Sequence, residues 1–350
     1  MPLPSIRLIA DKVGLSKSAV SLALRHHPSI PLATREKVEA MAAQLGYRAN
    51  PLVAALMTQQ RSGHAAESSP LIVFIDYYGA RAAPRPNSAE ATLAREAAEH
   101  LQRTAELFHE AAMRYGYQLD YLKARDAGMT PGRLAGIVKS RGARGVVFLR
   151  PAGVVPVWLD DWDGYCVVEL GGSGSGFHEV KSDKLATCRS LLSELAKLGY
   201  RRPGLAIGAG NDQPGRFIHF AFSEFYEGKA ARQQVAAYLS PKWTKADFLN
   251  WCDRTRPDVV VSTDLAPLRW LREEGVKVPE EIGFACTDLL PHHKAQAAGM
   301  DGRQDVRIRA AVTILDGLLR HNERGRPEVP LITTVVGHWH AGPSVRALAK

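Results

Sequence analysis

Lys17, Ser18, Ser21 and Leu22 stand on one short segment, KSAVSLA, that mixes a long cation, two small hydroxyls and an aliphatic side chain. An ordinary solvated helix face is not built this way. A lysine reaches guanine O6 and N7 or a phosphate, serines bond base edges or phosphates, and a leucine lies against a thymine methyl. The chemistry on offer is non-covalent recognition of double-stranded DNA.

Bond-breaking chemistry finds less support. ELGGSGSGF (169–177) follows a strand-like run but lacks the GxGxxG spacing of a dinucleotide loop and the GxSxG spacing of a nucleophile elbow. It is expected to be a flexible loop between lobes. His338 and His340 can share one face of a strand, yet no third metal ligand is near in sequence. Cys166, Cys188, Cys252 and Cys286 are far apart, with neither a CxxC pair nor a disulfide framework. No acid–base pair stands out. The expectation is a non-enzyme without cofactor or metal.

The elements that must position the segment are legible around it. Ile6, Ile9, Ala10 and Val13 recur at helical spacing, and Gly14 follows as a helix-ending residue. Ser16 stands where a cap is needed, its hydroxyl ready for a backbone N–H two or three residues on. Ala10 is small where two helices cross, and Val20 fills the angle between them. The pattern is a helix-turn-helix, whose second helix enters the DNA major groove with its N-terminal residues at the base edges. A third helix is expected over Leu32–Leu45, with Val38, Met41, Ala42 and Leu45 inward and Gly46 ending it.

Charge agrees with that placement. The 350-residue chain carries +9, and its first 62 residues hold eight Lys/Arg against three Asp/Glu. A basic head on a nearly neutral body suits a polyanionic partner. No apolar run reaches the roughly 20 residues of a membrane helix, and MPLPSIRLIADK lacks a signal peptide's layout. A cytoplasmic protein is expected, with no membrane partner.

After the third helix, Asn50 can cap a short helix begun by Pro51. Its sequence, LVAALM, is apolar nearly all round and too short to be stable alone. It needs a partner, and RSGHAAESSP beyond it reads as a linker.

The stretch IRLIADKVGLSKSAVSLALRHHPSIPLATREKVEAMAAQLGYRANPLVAAL resembles the DNA-binding head of the lactose/galactose-repressor (LacI/GalR) family. The likeness rests on the Ala-x-x-x-Gly turn, the Val20-Ser21 pair, Thr34-Arg35-Glu36, and Gly46-Tyr47 leading to Asn50. It implies that Ser16, Ser21, Thr34, Tyr47 and Asn50 meet phosphates while Lys17, Ser18 and Leu22 meet bases. It further implies that two hinge helices pair across a homodimer, with Ala54 and Ala55 allowing close approach. Leu56 would then wedge into the minor groove and kink the operator, an exchange of unstacking energy for wider contact. Lys17, Ser18 and Leu22 depart from the residues many relatives carry there. The binding mode is therefore implied, and the operator sequence is not.

From Leu71 onward, apolar runs at 71–77, 118–122, 145–149, 165–170, 203–209, 258–263, 282–287 and 331–336 alternate with helical stretches. The helices expected are Ala89–Arg114, Pro131–Arg141, Lys184–Leu198, Ala266–Glu274 and Gln304–His321. Such alternation argues for parallel sheets wrapped by helices, with ligands at the carboxyl ends of the strands. The resemblance implies an α/β body of two periplasmic-binding-protein-like lobes, with a small-molecule effector, a carbohydrate or derivative, in the cleft between them. The expected divisions are a helix-turn-helix head at 1–49, hinge helix and linker at 50–69, and an effector and dimerisation domain at 70–345.

The same resemblance assigns effector contacts to Asp183, Arg216, Trp243, Asp264, Asp288 and Gln304. Asp183 and Asp264 also stand where each would cap the helix that follows, and Trp243 is equally available for packing. Several positions depart from the family pattern: His219 replaces a glycine, and Thr263, Cys286 and Thr287 interrupt the Asn-Asp and Gly-Tyr-Asp runs. The long segment 80–117 departs as well, which leaves an effector-independent regulator open. A non-specific DNA-architectural protein is the alternative from another class.

Overall fold

In the computed structural model, residues 6–24, 30–45, 70–77, 89–126, 128–150, 162–172, 174–208, 212–240 and 244–348 are described. The chain divides into two compact units, Met1–Ser68 and Ser69–Lys350.

The first unit holds α1 (Ile6–Val13), α2 (Lys17–Ala23) and α3 (Leu32–Gln44). Ile9, Ala10 and Val13 from α1, Val20 and Ala23 from α2, and Val38 and Ala42 from α3 form one buried cluster. Met41 and Leu45 pack against it half-buried. Gly14 sits at φ +73°, a conformation in which a Cβ would be strained, and its N–H closes α1 on Ala10 O at 3.0 Å.

The second unit contains two six-stranded sheets. Its first lobe is built on β1 (Leu71–Asp76), β2 (Gln118–Lys123), β3 (Gly145–Leu149), β4 (Cys166–Leu170), β5 (His178–Ser182) and β11 (Ile332–Val335). They are ordered β11-β5-β4-β3-β1-β2, and every pairing is parallel. The second lobe is built on β6 (Pro203–Gly208), β7 (Tyr238–Ser240), β8 (Val259–Ser262), β9 (Gly283–Cys286), β10 (Ala298–Asp301) and β12 (His338–His340). Its order is β12-β10-β9-β8-β6-β7, parallel except where β12 runs against β10.

Helices α4 (Ala89–Arg114), α5 (Pro131–Ser140), α6 (Lys184–Lys197), α7 (Asp212–Tyr226), α8 (Lys245–Thr255), α9 (Ala266–Glu273) and α10 (Gln304–His321) complete the body. Both faces of the first sheet are covered, so its central strands are continuous apolar runs rather than alternating ones. Ile72, Phe74, Val147 and Val168 face a core shared with Phe108 of α4 and Ile308, Val312 and Leu315 of α10. Val73, Ile75, Val146 and Phe148 face the opposite core with Leu134 and Val138 of α5.

The chain passes between lobes three times: at Asp183, at Gly302-Arg303, and at Val336-Gly337. These passages are tied together. Asp183 N donates to Val335 O at 2.9 Å, and Gly337 N donates to Thr187 Oγ1 at 2.9 Å. A Cβ on Gly337 would lie 2.8 Å from Thr187 Cγ2, so that close approach depends on glycine.

One expectation is corrected here. ELGGSGSGF does not join the lobes; it links β4 to β5 inside the first sheet and folds around the Glu169 carboxylate. The strand that follows it, β5, escapes a sequence reading because HEVKS carries charges in a way that does not read as a buried strand.

Candidate nucleic-acid interface and inter-lobe cleft

In the head, α2 begins with a satisfied cap: Ala19 N donates to Ser16 Oγ at 3.1 Å. Val20 and Ala23 turn inward, and Lys17 and Ser18 at the first turn are exposed. Ser21 and Leu22 are half-buried along the flank, and Thr34 is half-buried on the first turn of α3. The fold thus holds Lys17 and Ser18 on the outer surface of a helix end whose backbone N–H groups attract anions. Lys37 Nζ donates to Val13 O at 3.3 Å and Arg35 Nε to Ile30 O at 2.7 Å, so two of the head's cations brace its turns. Tyr47, Asn50 and Leu56 lie outside the described residues.

In the body, the carboxyl ends of the parallel strands meet the three passages. Asp183 caps α6, accepting from Ala186 N at 2.8 Å. Asp264 likewise bonds the start of α9 through Ala266 N at 2.7 Å. Both carboxylates therefore bond backbone N–H groups at a helix start. Asp288 accepts from Lys184 Nζ at 2.8 Å. Desolvation in the cleft works against its charge, but Lys184, then Arg307 and His100, outweigh that and hold its carboxyl below the usual range.

Gln304 Nε2 donates to Thr104 Oγ1 at 2.5 Å and lies 3.4 Å from His100 Nε2, which joins α10 to α4. Burial, with Arg307 and His292 adding to it and Asp288 opposing, lowers the His100 pKa and favours the neutral ring. Asp183, Asp264, Asp288 and Gln304 are all at strand ends or passages. The side chain of Arg216 and all of Trp243 lie outside the described residues.

Sequence reasoning missed a second group at the same end of the first sheet. Arg150 is 1% exposed, and its Nη2 meets Glu169 Oε1. Ser175 Oγ donates to Glu169 Oε2, and Gly174 N donates to Glu179 Oε1 at 2.9 Å. Burial pushes the Glu169 carboxyl up, against the pull of Ser175 and Arg150. A Cβ on Gly172 would overlap the Glu169 carboxylate, so the glycine run serves to bring backbone over this pair. The signal was available: a glutamate inside YCVVEL and an arginine directly after GVVFL are charges at the ends of buried strands.

Among the described residues, no three His, Cys, Asp or Glu converge in a way that could hold a metal ion. His340 Nε2 is 3.0 Å from Lys294 O, while His338 is exposed. No described helix is long and apolar enough to cross a membrane.

Residues 5–50 match the family model described as bacterial regulatory proteins, lacI family. The head is similar to the heads that this model describes. The lacI-family match covers α1, α2 and α3, and it includes Ser16, Lys17, Ser18, Ser21, Leu22, Thr34, Tyr47 and Asn50. No curated protein matches the chain in sequence. Among solved structures, the lac repressor dimer bound to operator and the anti-inducer ONPF is similar at 16% identity and a TM-score of 0.55, covering 98% of this chain and 99% of that one. The transcriptional regulator CelR in complex with cellobiose is similar at 16% identity and a TM-score of 0.53, covering 97% and 99%. A lacI-family transcriptional regulator from Silicibacter pomeroyi has 18% identity and a TM-score of 0.51, covering 99% and 100%. At these identities the likeness is one of fold, and it spans a helical head followed by a two-lobed α/β body.

Proposed function

We propose that this protein is a homodimeric transcriptional repressor that binds a pseudo-palindromic operator and is modulated by a small molecule in the inter-lobe cleft. The observation that carries the reading is the capped α2 of a lacI-family head, with Lys17 and Ser18 exposed at its first turn. Lys17, Ser18 and Leu22 read bases in the major groove; Ser16, Ser21, Thr34, Tyr47 and Asn50 meet phosphates. The segment after Asn50 folds as a hinge helix against its copy in the partner, and Leu56 enters the minor groove.

Two features of the body favour a second copy and an effector. Met113 is exposed at a hollow of about 490 Å³ beside β2, the edge strand of the first sheet. The carboxyl ends of both sheets face the passages between lobes, where Asp183, Arg216, Trp243, Asp264, Asp288 and Gln304 would meet a carbohydrate or its derivative. That CelR is solved with cellobiose supports a ligand of that class. The ligand shifts operator affinity only by its differential affinity for two lobe arrangements, a coupling of about 1–3 kcal/mol in typical cases.

Selection of genomic fragments on the purified full chain tests this reading. Enrichment of one pseudo-palindrome with a flexible central step is expected. Uniform retention that disappears with rising salt would reduce the head to a generic DNA clamp.

A further inference from the structure

We infer that the cleft ligand is anionic, a sugar acid or sugar phosphate, recognised by Arg307 in addition to the carboxylates of the cleft. The inference rests on the regulator reading above and names the chemistry of its effector.

The observation behind it is Arg307, one turn into α10 where the chain has just crossed from the second lobe. It is half-buried, its Nε is shielded from solvent without a hydrogen-bond partner, and it forms no ion pair among the described residues. Asp288 is close enough to feel its charge, but that carboxylate is engaged by Lys184. Gly302 lies between them: a Cβ there would be 3.2 Å from Asp288 Oδ1 and 3.7 Å from Arg307 Nη2. Two cations thus flank one carboxylate, and the neutral ring of His100 adds no negative charge. A second anion is what this arrangement lacks.

A shielded guanidinium donor left open is costly, and a ligand that fills it gains a charge-assisted hydrogen bond.

The remaining acceptors suit hydroxyls. Asp264 uses Oδ1 for its helix-capping bond, which leaves Oδ2, and Asp288 has Oδ1 beyond the Lys184 contact. Carboxylates that take hydroxyl donors beside a guanidinium that takes an oxyanion describe a polyol with an acidic substituent, not a neutral sugar.

Calorimetric titration and thermal melting of the full chain with glucose 6-phosphate, glucuronate, glucose and inorganic phosphate at millimolar concentration provide the test. At least one charged sugar is expected to bind and raise the melting temperature by several degrees, with glucose inert. Arg307→Gln should weaken that binding about 10- to 100-fold, the ratio a lost charge-assisted hydrogen bond gives, and Arg307→Lys should weaken it less. Arg309→Gln, which removes an exposed partner of Asp305, should leave it unchanged. Glucose binding as tightly as its charged derivatives, no binding of either charged sugar, or an unchanged affinity in Arg307→Gln would each overturn the inference. Inorganic phosphate binding as tightly as glucose 6-phosphate would overturn its sugar part. Failure of the regulator reading shows separately, as fragment selection without an enriched sequence.

Discussion

Lys184 Nζ lies 2.8 Å from Asp288 Oδ2, joining the residue just past the first passage between lobes to the loop that follows β9. Because the folded protein lowers the Asp288 pKa from 3.8, the sign of its contribution is fixed. The stabilisation is fully present above the unfolded value and is lost as pH falls through the lower folded value. With Asp288 46% exposed at its side chain, the pair is worth no more than about 1 kcal/mol. Urea unfolding of wild-type and Asp288→Asn chains should therefore differ by a constant small amount from pH 8 to pH 5, and converge only below 3.8. A difference that already shrinks near neutral pH would show that another group dominates.

The buried pair of Arg150 and Glu169 behaves differently because neither partner reaches water. Arg150→Met leaves Glu169 with Ser175 alone in an apolar surround and should cost about 3–5 kcal/mol. Arg150→Met combined with Glu169→Leu removes both charges and should recover most of that loss. Urea unfolding of the two single variants and the double variant gives the coupling. A double variant as unstable as the sum of the singles would mean that the two side chains do not act as a pair.

The difference between these two ion pairs also marks how far the sequence could be read. Ala10, Gly14, Ser16 and Val20 declared the head because each performs a local task with few alternatives: a close crossing, a left-handed turn, a cap and a filled angle. Eight strands were legible, the central ones because sheets covered on both faces demand continuous apolar runs. β5 escaped because its five residues, HEVKS, carry charges, and β7 and β12 are three residues each, too short for any period to register. Arg150 and Glu169 are adjacent only because β3 and β4 pair in register, with Phe148 opposite Glu169. Lys184 meets Asp288 across 104 positions. Resemblance singled out Asp288 and Gln304, yet their partners Lys184 and Thr104 followed from no local pattern.

The turn between α1 and α2 offers a separable measurement. Gly14→Ala finds open space for its Cβ but must hold φ near +73°, so its cost is purely conformational, about 1–2 kcal/mol. Ser16→Ala removes the acceptor of Ala19 N and should cost about 1 kcal/mol. Hydrogen exchange on the full chain should show faster opening of α1 and α2 in both variants, with the body unchanged. Ser16→Asp should restore protection of Ala19 because an aspartate caps as well as a serine. Unchanged exchange in Ser16→Ala would remove the cap from the description of α2.

Specificity and bending should separate in the DNA-binding variants. Lys17→Ala removes an exposed cation at the first turn of α2, where a base contact is worth about 1–3 kcal/mol of discrimination. Its operator-to-random affinity ratio should fall about 5- to 150-fold accordingly. Thr34→Ala removes a proposed phosphate contact and should weaken operator and random duplex alike, since phosphates carry no sequence information. Leu56→Ala should act in a third way. It leaves the major-groove contacts in place but removes the wedge, so affinity falls for an operator with a flexible central step and much less for random duplex. Fluorescence anisotropy at one fixed salt concentration gives the affinities, and end-to-end energy transfer across the operator reports the bend. Loss of affinity without loss of the bend in Leu56→Ala would place that leucine in the dimer contact between hinge helices and not in the groove.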